Sequence, residues 1–388
     1  MRIPKYLIIV ILLFGAPAII HGQSFKDKAM ALLYRFNQPV RDLDSTFFYQ
    51  MKPRWHANVS GMTRRAGVEQ INRFDVLMTQ SKENGQTIAQ KVPGILSFGL
   101  NENLYTGTGI GGGYGSVSLS FSAEVGRKSA LKNRTLGYSY CAKNLGADIQ
   151  YSYYEQPLSY EMTMGSEGSE NYSHEQSVSK YPGEMIVLLV DLFYALNRRS
   201  FSFPAAYRPG VVQCKTAGSW MLSAKYLQGE TVLDPEDVLA GWLGDLSRHR
   251  TGQLSFGAGY SLNWVPFHRM KDRNEKTFRN LTVNVTALPM LTYYNKSSFY
   301  QTVFDAAGKP QGTELVSKVY GAVRINYMTR MGICYIHGPF LINLIGDYDS
   351  FVAKGTTSVK RDYVKYSDFE AEALFHKWTA TLCLNYNF

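Results

Sequence analysis

Residues 253–264 read QLSFGAGYSLNW, and every second side chain is apolar or aromatic. Successive side chains of a β-strand point to opposite faces. Leu254, Phe256, Ala258, Tyr260, Leu262 and Trp264 therefore share one face, and Gln253, Ser255, Gly257, Gly259, Ser261 and Asn263 share the other. Large apolar groups backed by small polar ones suit a wall between lipid and a polar interior. The split recurs from Asn280 to Ala287, where Leu281, Val283, Val285 and Ala287 oppose Asn280, Thr282, Asn284 and Thr286. It recurs again in Ser116 to Ala123, where serines alternate with Val117, Leu119, Phe121 and Ala123.

Weaker alternation marks Trp55 to Met62, Arg73 to Thr79, Ile95 to Leu100, Thr135 to Ala142, Ala147 to Tyr154, Ser219 to Tyr226 and Val323 to Tyr327. Met185 to Leu196 is apolar on both faces except at Asp191, and reads as a strand with a less polar inner side or as a short helix. Several runs have the length a tilted membrane strand needs, whereas sandwich strands are usually nearer five or six residues. The expected fold is all-β: a transmembrane antiparallel up-and-down barrel of about 12 strands, within roughly 10–14, with a short N-terminal helical segment. A soluble periplasmic β-sandwich holding an apolar ligand is the alternative that periodicity alone leaves open.

The two ends of the chain bear on location. Arg2 and Lys5 precede an apolar run from Tyr6 to Ile20, with Gly22 before Gln23. This has the form of a cleavable secretory signal, shorter than a comfortable membrane-spanning helix. The expected division is a signal peptide at 1–22, an N-terminal periplasmic segment at 23–52 and an outer-membrane barrel at 53–388. At the other end Trp378, Ala380, Leu382, Leu384, Tyr386 and Phe388 alternate with Thr379, Thr381, Cys383, Asn385 and Asn387. A terminal strand closing on an aromatic residue, with Trp378, Leu384, Tyr386 and Phe388 as its markers, looks like the signal read by the barrel-assembly machinery. Trp55, Trp264 and Trp378 suit interfacial girdles facing outer-membrane lipid.

Composition agrees. The chain carries Tyr 27, Phe 21 and Gly 34 among 388 residues, and no apolar run after Gln23 is long enough to span a bilayer as a helix. The formal charge of +10 falls by two once Arg2 and Lys5 leave. The basic residues are dispersed through turns, which argues against nucleic-acid binding. Cys141, Cys214, Cys334 and Cys383 lie far apart with no metal-ligand spacing, so no metal and no cofactor is expected. Short turns are expected at Lys143–Asn144 and Met331–Gly332. Long outer connections are expected at Glu155 to Gly183, Gly229 to Arg250, Asn295 to Ser317 and Ala353 to Phe369, the first two without an assigned role. Pro266 to Lys276 is a longer inner turn than the pattern prefers. The glycines of 107–115 lack the lysine and following helix of a phosphate loop, and fit close strand approach better.

Four stretches resemble a Bacteroidota family of outer-membrane barrels, domain of unknown function 4421. They are Asp42 to Phe48 (DLDSTFF), Phe201 to Tyr207 (FSFPAAY), Lys215 to Trp220 (KTAGSW) and Leu254 to Tyr260 (LSFGAGY), and the closing aromatic strand adds to them. The resemblance spans most of the chain and implies architecture and location, with no catalytic residue to transfer.

Polar-face parity makes Asp148, Gln150, Lys225, Asn263, Arg324, Asn326 and Lys377 the candidates for facing the lumen, either as a packed ion-paired interior or as the lining of a path for a small solute. Catalysis is not expected. The alternative is a lipid hydrolase on the barrel's outer surface, for which His376 is the nearest candidate, without a recognisable serine partner. Two amphipathic stretches, Lys26 to Phe36 and Asp234 to Leu246, are candidates to enter or cover the barrel.

Overall fold

The computed structural model describes residues 46–51, 55–81, 87–100, 105–125, 133–141, 144–165, 173–197, 199–208, 211–236, 246–269, 278–321, 323–357, 360–361, 364–365 and 367–388. The segments 1–22 and 26–36, and residues 237–245 of the second amphipathic stretch, lie outside them. In chain order the first strands are β1 (Phe48–Gln50), β2 (Trp55–Ser81), β3 (Thr87–Leu100), β4 (Tyr105–Tyr114), β5 (Val117–Glu124) and β6 (Arg134–Cys141). Next come β7 (Leu145–Met164), β8 (Ser173–Ala195), a single 3-10 turn at Phe203–Ala206, β9 (Val211–Gln213), β10 (Ala217–Val232), β11 (Leu246–Arg269) and β12 (Arg279–Phe304). The last are β13 (Pro310–Tyr320), β14 (Arg324–His337), β15 (Phe340–Thr357), β16 (Lys360–Arg361), β17 (Val364–Lys365) and β18 (Ser367–Asn387).

Twelve strands close into an antiparallel ring in the order β2, β4, β5, β6, β7, β8, β10, β11, β12, β14, β15, β18 and back to β2. The closing pair runs from Ser367↔Asp75 to Asn387↔His56, and the amide of Phe388 donates to the carbonyl of Trp55 at 2.9 Å. Closure lets the backbone groups find partners within the wall, as a wall surrounded by hydrocarbon requires. β3 extends the line of β4 along β2 and pairs with β7 from Gly94↔Met164 to Leu100↔Leu158. The short β5–β6 hairpin therefore widens only one end of the barrel. β13 likewise extends the line of β14 along β12.

Polarity is inverted relative to a soluble protein. Leu119, Leu222, Leu262, Val285, Ile333, Leu344 and Leu384 are exposed on the outer surface, whereas Ser261, Asn263, Asn280, Thr282 and Asn284 are fully buried inside. Aromatic residues end the belt: Trp55, Trp264, Phe340, Tyr386 and Phe388 on the side of the chain terminus, and Tyr327, Tyr348 and Trp378 on the other. An apolar belt between aromatic girdles is the surface of a membrane-spanning barrel, and it rules out the sandwich, whose apolar face would be buried. Met185 to Leu196 belongs almost wholly to strand β8, with Met185, Val187, Leu189 and Phe193 buried on the inner side.

Two expectations about turns and loops are corrected. Much of three of the four long connections is strand: β7 continues to Met164, β8 begins at Ser173, β12 reaches Phe304, β13 occupies 310–320 and β15 reaches Thr357. Where the two faces of a wall have similar polarity, no alternation appears in the sequence. Met331–Gly332 is not a turn but lies inside β14. The reversal comes at Gly338, whose φ of 58° lies in the left-handed region that favours glycine.

Because Leu344 is outward-facing midway between Phe340 and Tyr348, Leu344→Arg should cost about 2–4 kcal/mol in denaturant unfolding from lipid vesicles. An unchanged unfolding midpoint would contradict the placement of the belt.

Candidate functional site

A ring of twelve strands is wide enough to leave a lumen that wall side chains alone need not fill. Here the segment between β8 and β10 folds into that space. Phe201, Ser202, Phe203, Ala205 and Ala206 are each 2% exposed or less. The rings of Phe203 and Tyr207 stand 5.2 Å apart, and Phe203 lies 5.2 Å from Phe193 of β8. Met221, Leu288, Met290 and Met328 complete this cluster from the wall. Pro204 lies at the start of the 3-10 turn, just after Phe203, where its missing N–H costs nothing. The Phe-Ser-Phe-Pro-Ala-Ala-Tyr motif is thus the head of an internal plug.

Inward asparagines hold the plug by its polar groups. The Asn263 amide donates to the carbonyl of Ser202 at 2.7 Å, and Asn343 donates to the carbonyl of Tyr207 at 2.7 Å. The Tyr207 hydroxyl donates to Asn284. Gln213 accepts from the Ser202 amide at 2.9 Å and donates to the Ser200 carbonyl at 2.6 Å. Gly332 explains itself here: a Cβ at that position would lie 2.6 Å from the Tyr207 ring, so glycine makes the plug's seat. Behind the plug, β9 pairs with β1, and Met51 and Val212 pack with Phe278, Cys334, Ile336 and Leu341.

A charged layer lies against the plug. Arg330 bridges Asp148 at 3.0 Å and Asp347 at 2.5 Å, and its guanidinium sits 5.2–5.9 Å from the ring centres of Phe193, Phe203 and Tyr207. Arg208 of the plug reaches Asp148 at 3.2 Å and donates to Ser118. Lys225, with a fully buried side chain, lies 3.2 Å from Asp191 and pairs with Asp349. Arg64 donates to Thr135 at 2.7 Å and Tyr154 at 3.1 Å, and Lys377 donates to Gln150 at 2.8 Å. Buried charges held in this way are costly to break and fix the geometry around them.

Between the plug and β2, β5, β6 and β18 lies a cavity of about 210 Å³, whose lining mixes hydroxyls and amides such as Asn58, Ser120, Ser139 and Asn385 with apolar side chains such as Met62, Phe203 and Ile345. Asp148, Asp347, Arg64, Arg208 and Arg330 also reach it.

Of the residues singled out by parity, Asp148 and Gln150 line this cavity, Asn263 holds the plug, and Lys225 and Lys377 belong to the charged layer. Asn326 is buried and donates to Thr292 at 2.5 Å, apart from the plug. Arg324 is half-buried and pairs in register with Thr292 of β12. His376 is in register with Ser350 and Gly67. The plug itself was not anticipated from the sequence, although its motif was. The available signal was a run of apolar and small residues around Pro204 on the side where turns are short. The cysteine thiols are all free, and burial pushes that of Cys214 up to about 11, out of the reactive range.

Residues 68–366 match the family model described as Domain of unknown function (DUF4421), and the chain belongs to that family. No curated protein matches it. Among solved structures it is similar to the outer membrane protease OmpT from Escherichia coli, with 12% identity over 86% of this chain and 97% of that one and a TM-score of 0.29. It is also similar to the P. putida toluene transporter TodX (9% identity, 84% and 90% coverage, TM-score 0.17) and to a Pseudomonas aeruginosa FadL homologue (11%, 86% and 90%, TM-score 0.21).

Lys225→Met leaves Asp191 and Asp349 buried without their cation, and is expected to cost about 3–5 kcal/mol in denaturant unfolding. Adding Asp191→Asn and Asp349→Asn should recover more than half of that loss. An equal loss in the single and triple variants would show that packing, not charge, dominates there.

Proposed function

We propose that this protein is a non-enzymatic outer-membrane barrel that is closed at rest, and that a small polar solute crosses it only when the plug leaves its seat. The observation that carries this reading is the stapled plug. An aromatic head, three wall asparagines and the Arg330 guanidinium all hold Phe201–Tyr207 inside the ring. A constitutively open pore has no use for such an insert. The apolar belt favours lipid as the surroundings. The apolar Tyr6–Ile20 run behind Arg2 and Lys5 favours export, and the aromatic closing strand favours delivery through the barrel-assembly machinery.

The test is single-channel recording in planar bilayers. The wild-type barrel should be silent or nearly so. Gly332→Leu, which places a side chain where the Tyr207 ring sits, should give steady current, as should replacement of residues 199–214 by a short flexible linker. Large steady currents from the wild type, or silence in both variants when they are folded, would overturn the proposal.

A further inference from the structure

Beyond the apolar belt, on the side away from the chain terminus, the outward face of β10–β13 changes character row by row. Tyr226, Leu254 and Tyr294 form the first cross-strand row. Next come Gln228, Gly252, Lys296 and Tyr320, then Glu230, Arg250, Ser298 and Lys318, then Val232, Arg248, Tyr300 and Leu315. The last three rows hold four cations, Arg248, Arg250, Lys296 and Lys318, against one carboxylate, Glu230. On β8 they continue as Leu188, Ile186 and Glu184, where the positive face ends. The alternate residues Thr231, His249 and Ser297 are buried on the inner side, so these rows face outward.

Their height follows from the strand. Trp264 of the terminal-side girdle and Leu254 are ten residues apart on β11. At about 3.3 Å per residue and a tilt of about 40°, that is roughly 25 Å, the height of an apolar band. Tyr226, Tyr294 and the bulged, 75%-exposed Tyr293 thus stand at the far boundary. The cations begin roughly 5–10 Å beyond it, where lipid headgroups lie. Glu230 arranges the two arginines: its Oε2 accepts from Arg250 Nε at 3.0 Å and Nη2 at 2.7 Å, and Arg248 Nε lies 3.2 Å from its Oε1. Both arginine side chains keep 36% of their surface exposed. Lys296 Nζ stands 6.0 Å from the Tyr320 ring centre, Tyr320 meets Tyr294 edge to face at 6.4 Å, and Lys318 is exposed.

We propose that this face binds a phosphorylated lipid of the outer leaflet, its phosphate against Arg248, Arg250, Lys296 and Lys318 and its acyl chains along the belt below. The excess of cations selects an anion, and phosphate pairs well with both guanidinium and ammonium groups. Continuity with the belt selects a lipid over a soluble anion, because exposed Leu222, Phe256 and Leu291 lie directly below the tyrosine row. The end with the extended strands is the outer one in barrels of this kind. The inference rests on the reading of an outer-membrane barrel and is independent of the plug.

The experiment is native mass spectrometry of the refolded full chain in a neutral detergent, with diphosphoryl lipid A or its dephosphorylated form added at equal concentration. The expected result is a discrete one-lipid adduct with the phosphorylated probe and at least tenfold less with the other. The double variant Lys296→Gln/Lys318→Gln should bind the phosphorylated probe about tenfold more weakly. Lys309→Gln, at the exposed tip of the β12–β13 hairpin, should bind as the wild type does. Folding of each variant is checked by its heat-dependent gel mobility. Three results would overturn the proposal: no adduct with the folded wild type, equal uptake of the two probes, or undiminished binding by the folded double variant. Displacement of the lipid by an equal concentration of inorganic phosphate would also overturn it, by showing a small-anion site. Conductance of the same preparation separates the two claims. A silent barrel that takes up no phosphorylated lipid removes this inference alone, whereas a freely conducting one that takes it up removes only the closed-barrel reading.

Discussion

Hydrocarbon offers no hydrogen bonds, so a chain crossing it as strands must satisfy its backbone by closing on itself. That requirement fixes the pairing of β18 with β2 and makes the last residue, Phe388, a structural neighbour of Trp55. Closure also sets the circumference. A ring of twelve strands encloses more space than short inward serines and threonines fill, and the outer face must remain apolar. The interior is where this chain solves the resulting packing problem, and it does so with a segment outside the ring.

The plug, the asparagines and the charged layer form one system. Asn263, Asn284 and Asn343 take up polar groups of the inserted chain, and Gly332 gives up its side chain to let the Tyr207 ring approach. Arg330 joins the wall carboxylates Asp148 and Asp347 to the aromatic head of the plug. Each partner leaves another buried polar group unsatisfied if it is removed, which makes the arrangement cooperative. The aromatic cluster seats the plug against the wall, and Phe203 and Tyr207 of that cluster also border the cavity.

The wall was legible where its two faces meet different media. Gln253 to Trp264, Asn280 to Ala287 and Trp378 to Phe388 show lipid on one side and polar interior on the other, and alternation follows directly. The extension of β8 beyond the belt carries no such contrast, since residues 173–176 are all exposed. Within the same strand, Met185, Val187 and Leu189 are buried inside as apolar residues opposite apolar neighbours. Those parts read as loops or ambiguous strands because the pattern measures a difference between faces, not extension as such. Gly332 misled for a related reason: glycine in a strand can mark a turn or a close approach, and only the plug decides between them. Inward parity placed Asp148, Lys225 and Lys377 on the polar face, but parity says nothing about partners contributed by a distant segment such as Arg208.

The central claim is that Phe201–Arg208 is an integral part of the folded lumen. Hydrogen exchange of the barrel in detergent micelles tests it most directly, through the amides of Ser202, Ala205, Tyr207 and Arg208, which donate to Gln213, Ser202 and Pro204 at 2.9–3.3 Å inside the ring. Protection comparable to that of strands β11 and β12 is the result this structure predicts. Exchange within seconds, as in an exposed loop, would mean that the segment does not occupy the lumen and would contradict the account.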